Sequence, residues 1–203
     1  MGVLSGFDKP FLFRYSYYLD SVLGEDKISN EASISEYSER LDFFIDNVLN
    51  LTGANKVDIL AHSMGGLVSR KYVLDNGPEK INNMILVGTP NNGITKTISN
   101  VCPVFGSKRE CDEMKKDSDF ILALNSNVNN TLVDNTYLFG GVGCFLDGFA
   151  SDGVVILPNL NLTGVPLILI NMSCSKMNFI HNDLLNPEIF PSIYTSIENI
   201  LFE

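Results

Sequence analysis

Ser63 sits in Ala61-His62-Ser63-Met64-Gly65, between a mostly apolar run (Val57, Ile59, Leu60, Ala61) and the helix-like LVSRKYVL. A serine at a strand-to-helix turn is held in a sparsely populated backbone conformation, with its hydroxyl projecting from the strand end as a nucleophile requires. So tight a turn needs small residues two before and two after the serine, and Ala61 and Gly65 meet that need. Met64 opens the helix, so its N–H has no intrahelical partner and points where an oxyanion would form. The short string alone is a weak signal. Its weight comes from the strand–turn–helix context.

Serine is a poor nucleophile at its free pKa and needs an adjacent base, which is usually oriented by an acid. The chain has two histidines. His62 is next to Ser63 on the strand, so its side chain points elsewhere and reads as a packing or hydrogen-bonding group. Elimination leaves His181, in the loop before the last helix, as the base. Asp152 in Ala150-Ser151-Asp152-Gly153-Val154-Val155 is the leading candidate for the acid, with Asp147 in Leu146-Asp147-Gly148 as its competitor.

The elements that must position these residues follow from the hydrophobic pattern. Phe11 to Tyr18 is rich in aromatics and reads as a strand. Ser33 and Glu36 form a capping box before an amphipathic helix that carries Tyr37, Leu41, Phe44, Ile45, Val48 and Leu49 on one face and stops at Gly53. The helix after Ser63 ends at Asn76-Gly77-Pro78, and Met84 to Gly88 is a second buried strand. Residues 92–135 form a long polar insertion with one weakly helical piece, Asp119 to Leu124. Loops of such length are usually functional. Tyr137 to Val142 and Val165 to Ile170 are further strands. Asn186 as N-cap and Pro187 as first residue then open a last helix with Ile189, Ile193, Ile197 and Ile200 at helical spacing.

Buried strands alternating with amphipathic helices imply the α/β class, a mostly parallel sheet with helices on both faces. Sites in such sheets lie at the carboxyl ends of the strands, where Ser63 falls.

Composition bounds the partners. With 203 residues, 45% of them apolar and 19% charged, the chain suits a single domain, 1–203. A net charge of −10 argues against nucleic acid or an anionic membrane as partner. No run is long enough for a membrane span, and no basic n-region precedes an apolar h-region, so no signal peptide is read. The cytoplasm is the default compartment, with export the alternative for a chain that begins part-way. Cys102, Cys111, Cys144 and Cys174 lack metal-ligand spacing. Cys102 and Cys111 would pair in an exported protein, and all four would stay reduced otherwise. No metal or organic cofactor is implied.

Taken together, VDILAHSMGGLVSRKY (57–72), MILVGTPNNG (84–93), EMKKDSDFILALN (113–125), SDGVV (151–155) and HNDLL (181–185) resemble the lipases and esterases of the α/β-hydrolase superfamily, particularly small bacterial-type triacylglycerol lipases. The chain order Ser, Asp, His is theirs. The resemblance covers roughly residues 11–203 and implies Ser63 as nucleophile, Asp152 as acid and His181 as base. It also implies residues 92–135 as a lid or cap, whose Val101, Val104, Phe105, Phe120, Ile121 and Leu122 would line an acyl pocket. The expected activity is hydrolysis of carboxylic esters, lipids among them, through an acyl-enzyme. An acyltransferase would use the same residues.

The resemblance also implies a strand between the nucleophile strand and residues 11–18, ending in a loop that gives the second oxyanion N–H. Only MGVLSGFDKP precedes Phe11. The fold is therefore expected to be N-terminally incomplete, with Val3–Phe7 as a remnant and Gly6 or Phe7 as the remaining donor. The alternative to an ester hydrolase is a catalytically impaired domain that serves as a binding or interaction module.

Overall fold

A computed structural model describes residues 12–15, 33–104, 106–171, 173–174 and 180–202. Helix α1 (Ile34–Thr52) starts at the expected capping box. The Ser33 hydroxyl accepts from the Glu36 N–H, Glu36 accepts in return from the Ser33 N–H, and Gly53 ends the helix in the left-handed region. Strand β1 (Val57–His62) and helix α2 (Met64–Asn76) flank Ser63 directly. Then come β2 (Ile81–Val87), three short helices α3 (Lys96–Val101), α4 (Lys108–Glu113) and α5 (Asp119–Ser126), and β3 (Asn135–Val142). A hairpin of β4 (Cys144–Leu146) and β5 (Phe149–Ser151), a turn of helix α6 (Leu157–Leu160), β6 (Leu167–Asn171), α7 (Ile180–Asp183) and α8 (Pro191–Phe202) complete the described chain.

The four-stranded sheet has the order β1-β2-β3-β6, and every pairing in it is parallel. Successive residues of a strand point to opposite faces. Met84, Leu86 and Leu138 therefore join α1 and α2 in one core, while Ile85, Val87 and Phe139 join α7 and α8 in the other. That is why MILV is apolar throughout: both faces of β2 are covered.

Two expectations need correction. Leu12–Tyr15, the described part of the first expected strand, forms no strand. Tyr15 instead packs on Phe44 at 5.3 Å and donates to the Tyr37 carbonyl, so this stretch lies against α1. The last helix starts at Pro191, not Pro187. Asn186 does cap a turn, accepting from Glu188 through its side chain, but Phe190 precedes a proline and is pushed out of the helical region. A new helix then opens with Pro191 at its first position. Of the two readings of the cysteines, the paired one holds: Cys102 bonds Cys111, and Cys144 bonds Cys174 as well.

The β4–β5 hairpin went unread although its signal was present. Asp147 and Gly148 both have positive φ, 49° and 85°, which is what the tightest hairpin turns require and what an Asp-Gly pair supplies. Residues 1–11, with the proposed remnant strand, lie outside the described residues, and among those described β1 has only β2 as neighbour.

Candidate active site

Ser63 has φ 54° and ψ −129°, far from the regions open to most residues. Such a conformation costs on the order of 1–3 kcal/mol and persists only where its surroundings fix it. Here the Ser63 N–H continues the β1–β2 ladder by donating to the Val87 carbonyl at 2.9 Å, and the Gly66 N–H donates back to the Ser63 carbonyl. Gly66 has no room for a side chain, because a Cβ there would lie 2.0 Å from Thr89 Oγ1. The elbow helix can approach the end of β2 only without a side chain at that point.

The hydroxyl of Ser63 donates to His181 Nε2 at 2.8 Å. On the other side of the ring, Nδ1–H donates to Asp152 Oδ2, also at 2.8 Å. That assignment of protons follows from the carboxylate, which can only accept. Asp152 is wholly buried, and its second oxygen is satisfied by the N–H groups of Val154 (2.9 Å) and Val155 (2.7 Å). The imidazole is therefore fixed in one tautomer, with its Nε2 lone pair facing the serine. Backbone contact reinforces the pair, since the His181 N–H donates to the Asp152 carbonyl at 3.0 Å.

The structure thus brings together Ser63, Asp152 and His181, and sets Asp147 aside. Asp147 is exposed at the hairpin tip and accepts from the Thr97 hydroxyl at 2.7 Å; hydrogen bonds from Thr95 and Thr97 hold its carboxyl below the usual range. His62 is neither base nor bystander. Its Nε2–H donates to the His181 carbonyl at 2.8 Å, and the two rings lie 4.7 Å apart. Burial, with the neighbouring His181 second, pushes His62 down to about 4, so it is neutral at pH 7. Met64, as first residue of α2, presents an N–H that no intrahelical carbonyl reaches. Gly6 and Phe7 lie outside the described residues.

The insertion is more ordered than its polar sequence suggested. Ile121 lies in the core beside α2, while Val101 and Leu122 are exposed; Phe105 and the Val104 side chain lie outside the described residues. Arg70, a residue sequence reasoning passed over, fastens this segment to α2. Its guanidinium is fully buried and donates to the Thr131 hydroxyl, the Asn91 and Leu124 carbonyls and the Asn125 side chain. The available signal was its position three residues from Leu67 and from Val73, on the buried stripe of α2.

No helix among the described residues is long and apolar enough to cross a membrane, and none of their acidic, histidine or cysteine side chains cluster in a metal-holding group. A strained serine at the turn from a parallel strand to a helix, bonded through an imidazole to a buried carboxylate, is the arrangement of the hydrolase class of α/β proteins. The alpha/beta hydrolase fold matches over residues 12–133, more than half of the chain, and the chain belongs to that family. A triacylglycerol lipase of Pseudarthrobacter phenanthrenivorans is 42% identical over 55 residues, which are 27% of this chain and 17% of that protein. The mature lipase BlEst2 of Bacillus licheniformis superposes with a TM-score of 0.59 at 16% identity, over 79% of this chain and 74% of the other. Phospholipase PlaB of Legionella pneumophila gives 0.66 at 13% identity, over 86% and 49%. The chain therefore matches under a fifth of that curated lipase, and the structural likenesses speak for the fold alone.

Proposed function

We propose that this chain is a serine hydrolase of carboxylic esters, acting on acyl lipids or related esters through an acyl-enzyme. The observation that carries the reading is the unbroken hydrogen-bond chain from Ser63 through His181 to Asp152. In this reading His181 Nε2 takes the serine proton as Oγ attacks the ester carbonyl, and Met64 N–H stabilises the oxyanion. Collapse of the adduct breaks the acyl–oxygen bond, and the imidazolium gives its proton to the leaving alkoxide. Water then repeats the sequence on the acyl-enzyme and frees the acid. Asp152 holds the imidazole throughout, and the two N–H groups on its other oxygen favour its anionic form. Residues 92–135 would act as a cap over the carboxyl ends of the strands, anchored through Arg70 and setting substrate size. The two disulfides support an oxidising compartment as the place of action.

Labelling by a fluorophosphonate probe, which needs an activated serine, tests the reading together with hydrolysis of a short-chain nitrophenyl ester. Wild type should label and Ser63→Ala should not. Asp152→Asn should lose roughly 10²–10⁴-fold in turnover while Asp147→Asn stays near wild type. A harmful Asp147→Asn with a silent Asp152→Asn would reverse the assignment of the acid. A second reading, an impaired domain serving as a binding module, draws support from β1 having one neighbour among the described residues. A folded wild type that fails to label would favour it.

A further inference from the structure

We propose that His62 is a positioning residue for His181, an inference that rests on the ester-hydrolase reading. His62 is the last residue of β1, held there by pairing with Val87, and the next residue is Ser63. The strand end that sets the nucleophile oxygen therefore also carries the donor that grips the backbone of the base. That grip is the 2.8 Å bond from His62 Nε2–H to the His181 carbonyl, between residues 119 apart in sequence.

His181 needs such a hold. It sits on α7, a single four-residue turn, too short to be rigid by its own hydrogen bonds. Asp152 takes the His181 N–H and Nδ1–H, which fixes one end of the residue and the ring's far edge. The carbonyl end is fixed by His62, so the backbone is held on both sides and the ring can tilt relative to neither Asp152 nor Ser63. Oxygen-to-nitrogen geometry at the 2.8 Å scale tolerates little drift, and a displacement of about 1 Å can cost about 10² in rate. Contact of the two rings at 4.7 Å adds a steric stop.

The chemistry also requires His62 to stay neutral. Imidazolium forms on His181 during the reaction, and a second cation beside it would raise that state in energy. Burial of His62 supplies this neutrality, which a lysine or arginine at the same place would not. His62 exchanges no proton with substrate in this scheme and touches no reacting atom.

Three substitutions separate the hydrogen bond from the packing. His62→Phe keeps the ring and loses the donor. His62→Gln loses the ring but keeps an N–H that reaches the same carbonyl, and His62→Ala loses both. Turnover and fluorophosphonate labelling should fall roughly 10- to 100-fold in His62→Phe and His62→Ala, with KM changed less than about twofold. His62→Gln should return both to within about threefold of wild type. The low-field proton resonance of His181 Nδ1 should shift in the Phe and Ala variants and hold in Gln. Wild-type rates and an unmoved resonance in His62→Phe, or a Gln variant as impaired as Phe, would overturn the proposal. If wild type itself neither labels nor turns over, the ester-hydrolase reading fails, and the resonance comparison still decides whether His62 positions His181. Should His62→Phe not fold, the Ala–Gln pair makes the same comparison.

Discussion

Gly88 lies directly beneath the ring of His181, so that a Cβ on it would come within 3.2 Å of both Cε1 and Nδ1 and 3.0 Å of a Leu184 methyl. Gly88 is the first residue beyond β2, has φ 61°, and donates its N–H to the Phe139 carbonyl at 2.8 Å. The end of one strand is thus kept bare so that an imidazole from a distant segment can pack against it. Gly88→Ala introduces both a left-handed alanine and a push on the imidazole. Turnover should fall roughly 10- to 100-fold, while melting temperature drops by only a few degrees. Equal turnover in the alanine variant would show that the ring has room to move.

Arg70 is buried among neutral acceptors, and burial pushes its pKa down to about 10, which leaves it charged at pH 7. Its donors serve Asn91 after β2, Leu124 and Asn125 on α5, and Thr131 before β3. Arg70→Met would strand several of these acceptors in the core at about 1–3 kcal/mol each. The expected loss is at least 3 kcal/mol, roughly 6–12 °C in melting temperature for a chain of this size. Lysine has one head and cannot reach all three segments, so Arg70→Lys should recover only part. Equal thermal stability of wild type and Arg70→Met would exclude Arg70 as the anchor of the insertion.

What could be read in advance, and what could not, divides by distance along the chain. The elbow, α1 with its capping box, and β2 are local patterns, and they were legible from residues within a turn or two of each other. Pairing His181 with Ser63 needed only a short inventory of bases. Both Asp152 and Asp147 satisfy the chain order, so the choice of Asp152 rested on the resemblance of SDGVV; in three dimensions Asp147 occupies a hairpin turn, while Asp152 is buried against the imidazole. Arg70 and Lys71 are adjacent and alike in sequence. Helical spacing from Leu67 and Val73 is the one sequence signal that separates them, and the packing of α2 buries the first while the second pairs with Asp75. The Cys144–Cys174 bond, with no local signal, was out of reach.

That disulfide joins the start of the hairpin leading to Asp152 with the segment leading to His181, across 30 residues, whereas Cys102–Cys111 closes only nine within the insertion. Chain-entropy arithmetic gives roughly 3–4 kcal/mol for the longer loop and about 2.6 for the shorter. A Cys144→Ser/Cys174→Ser variant should therefore be the less stable of the two double variants in urea. It should also lose esterase turnover, because the strap between acid and base segments is gone. The Cys102→Ser/Cys111→Ser variant should keep its turnover. The reverse ranking of turnover would show that the insertion, not the strap, governs the site.

His62 makes stability depend on pH in a defined window. Its value in the folded protein is about 4, against 6.5 in the unfolded chain, because burial and then the nearby His181 disfavour the cation; the His181 carbonyl and Asp152 oppose this less strongly. Between pH 6.5 and 4 the unfolded chain has taken up a proton that the folded protein refuses, so stability falls as pH is lowered through that interval. Above 6.5 the residue is neutral in both states and contributes no slope. Across the full window the loss is about 3 kcal/mol at most. His62→Gln removes the titrating group while keeping a donor for the His181 carbonyl. Its melting temperature should fall less than that of wild type between pH 6.5 and 4.5, and the two curves should run parallel above pH 7. Curves parallel over the whole range would mean that His62 titrates normally and is not held neutral by its burial beside His181.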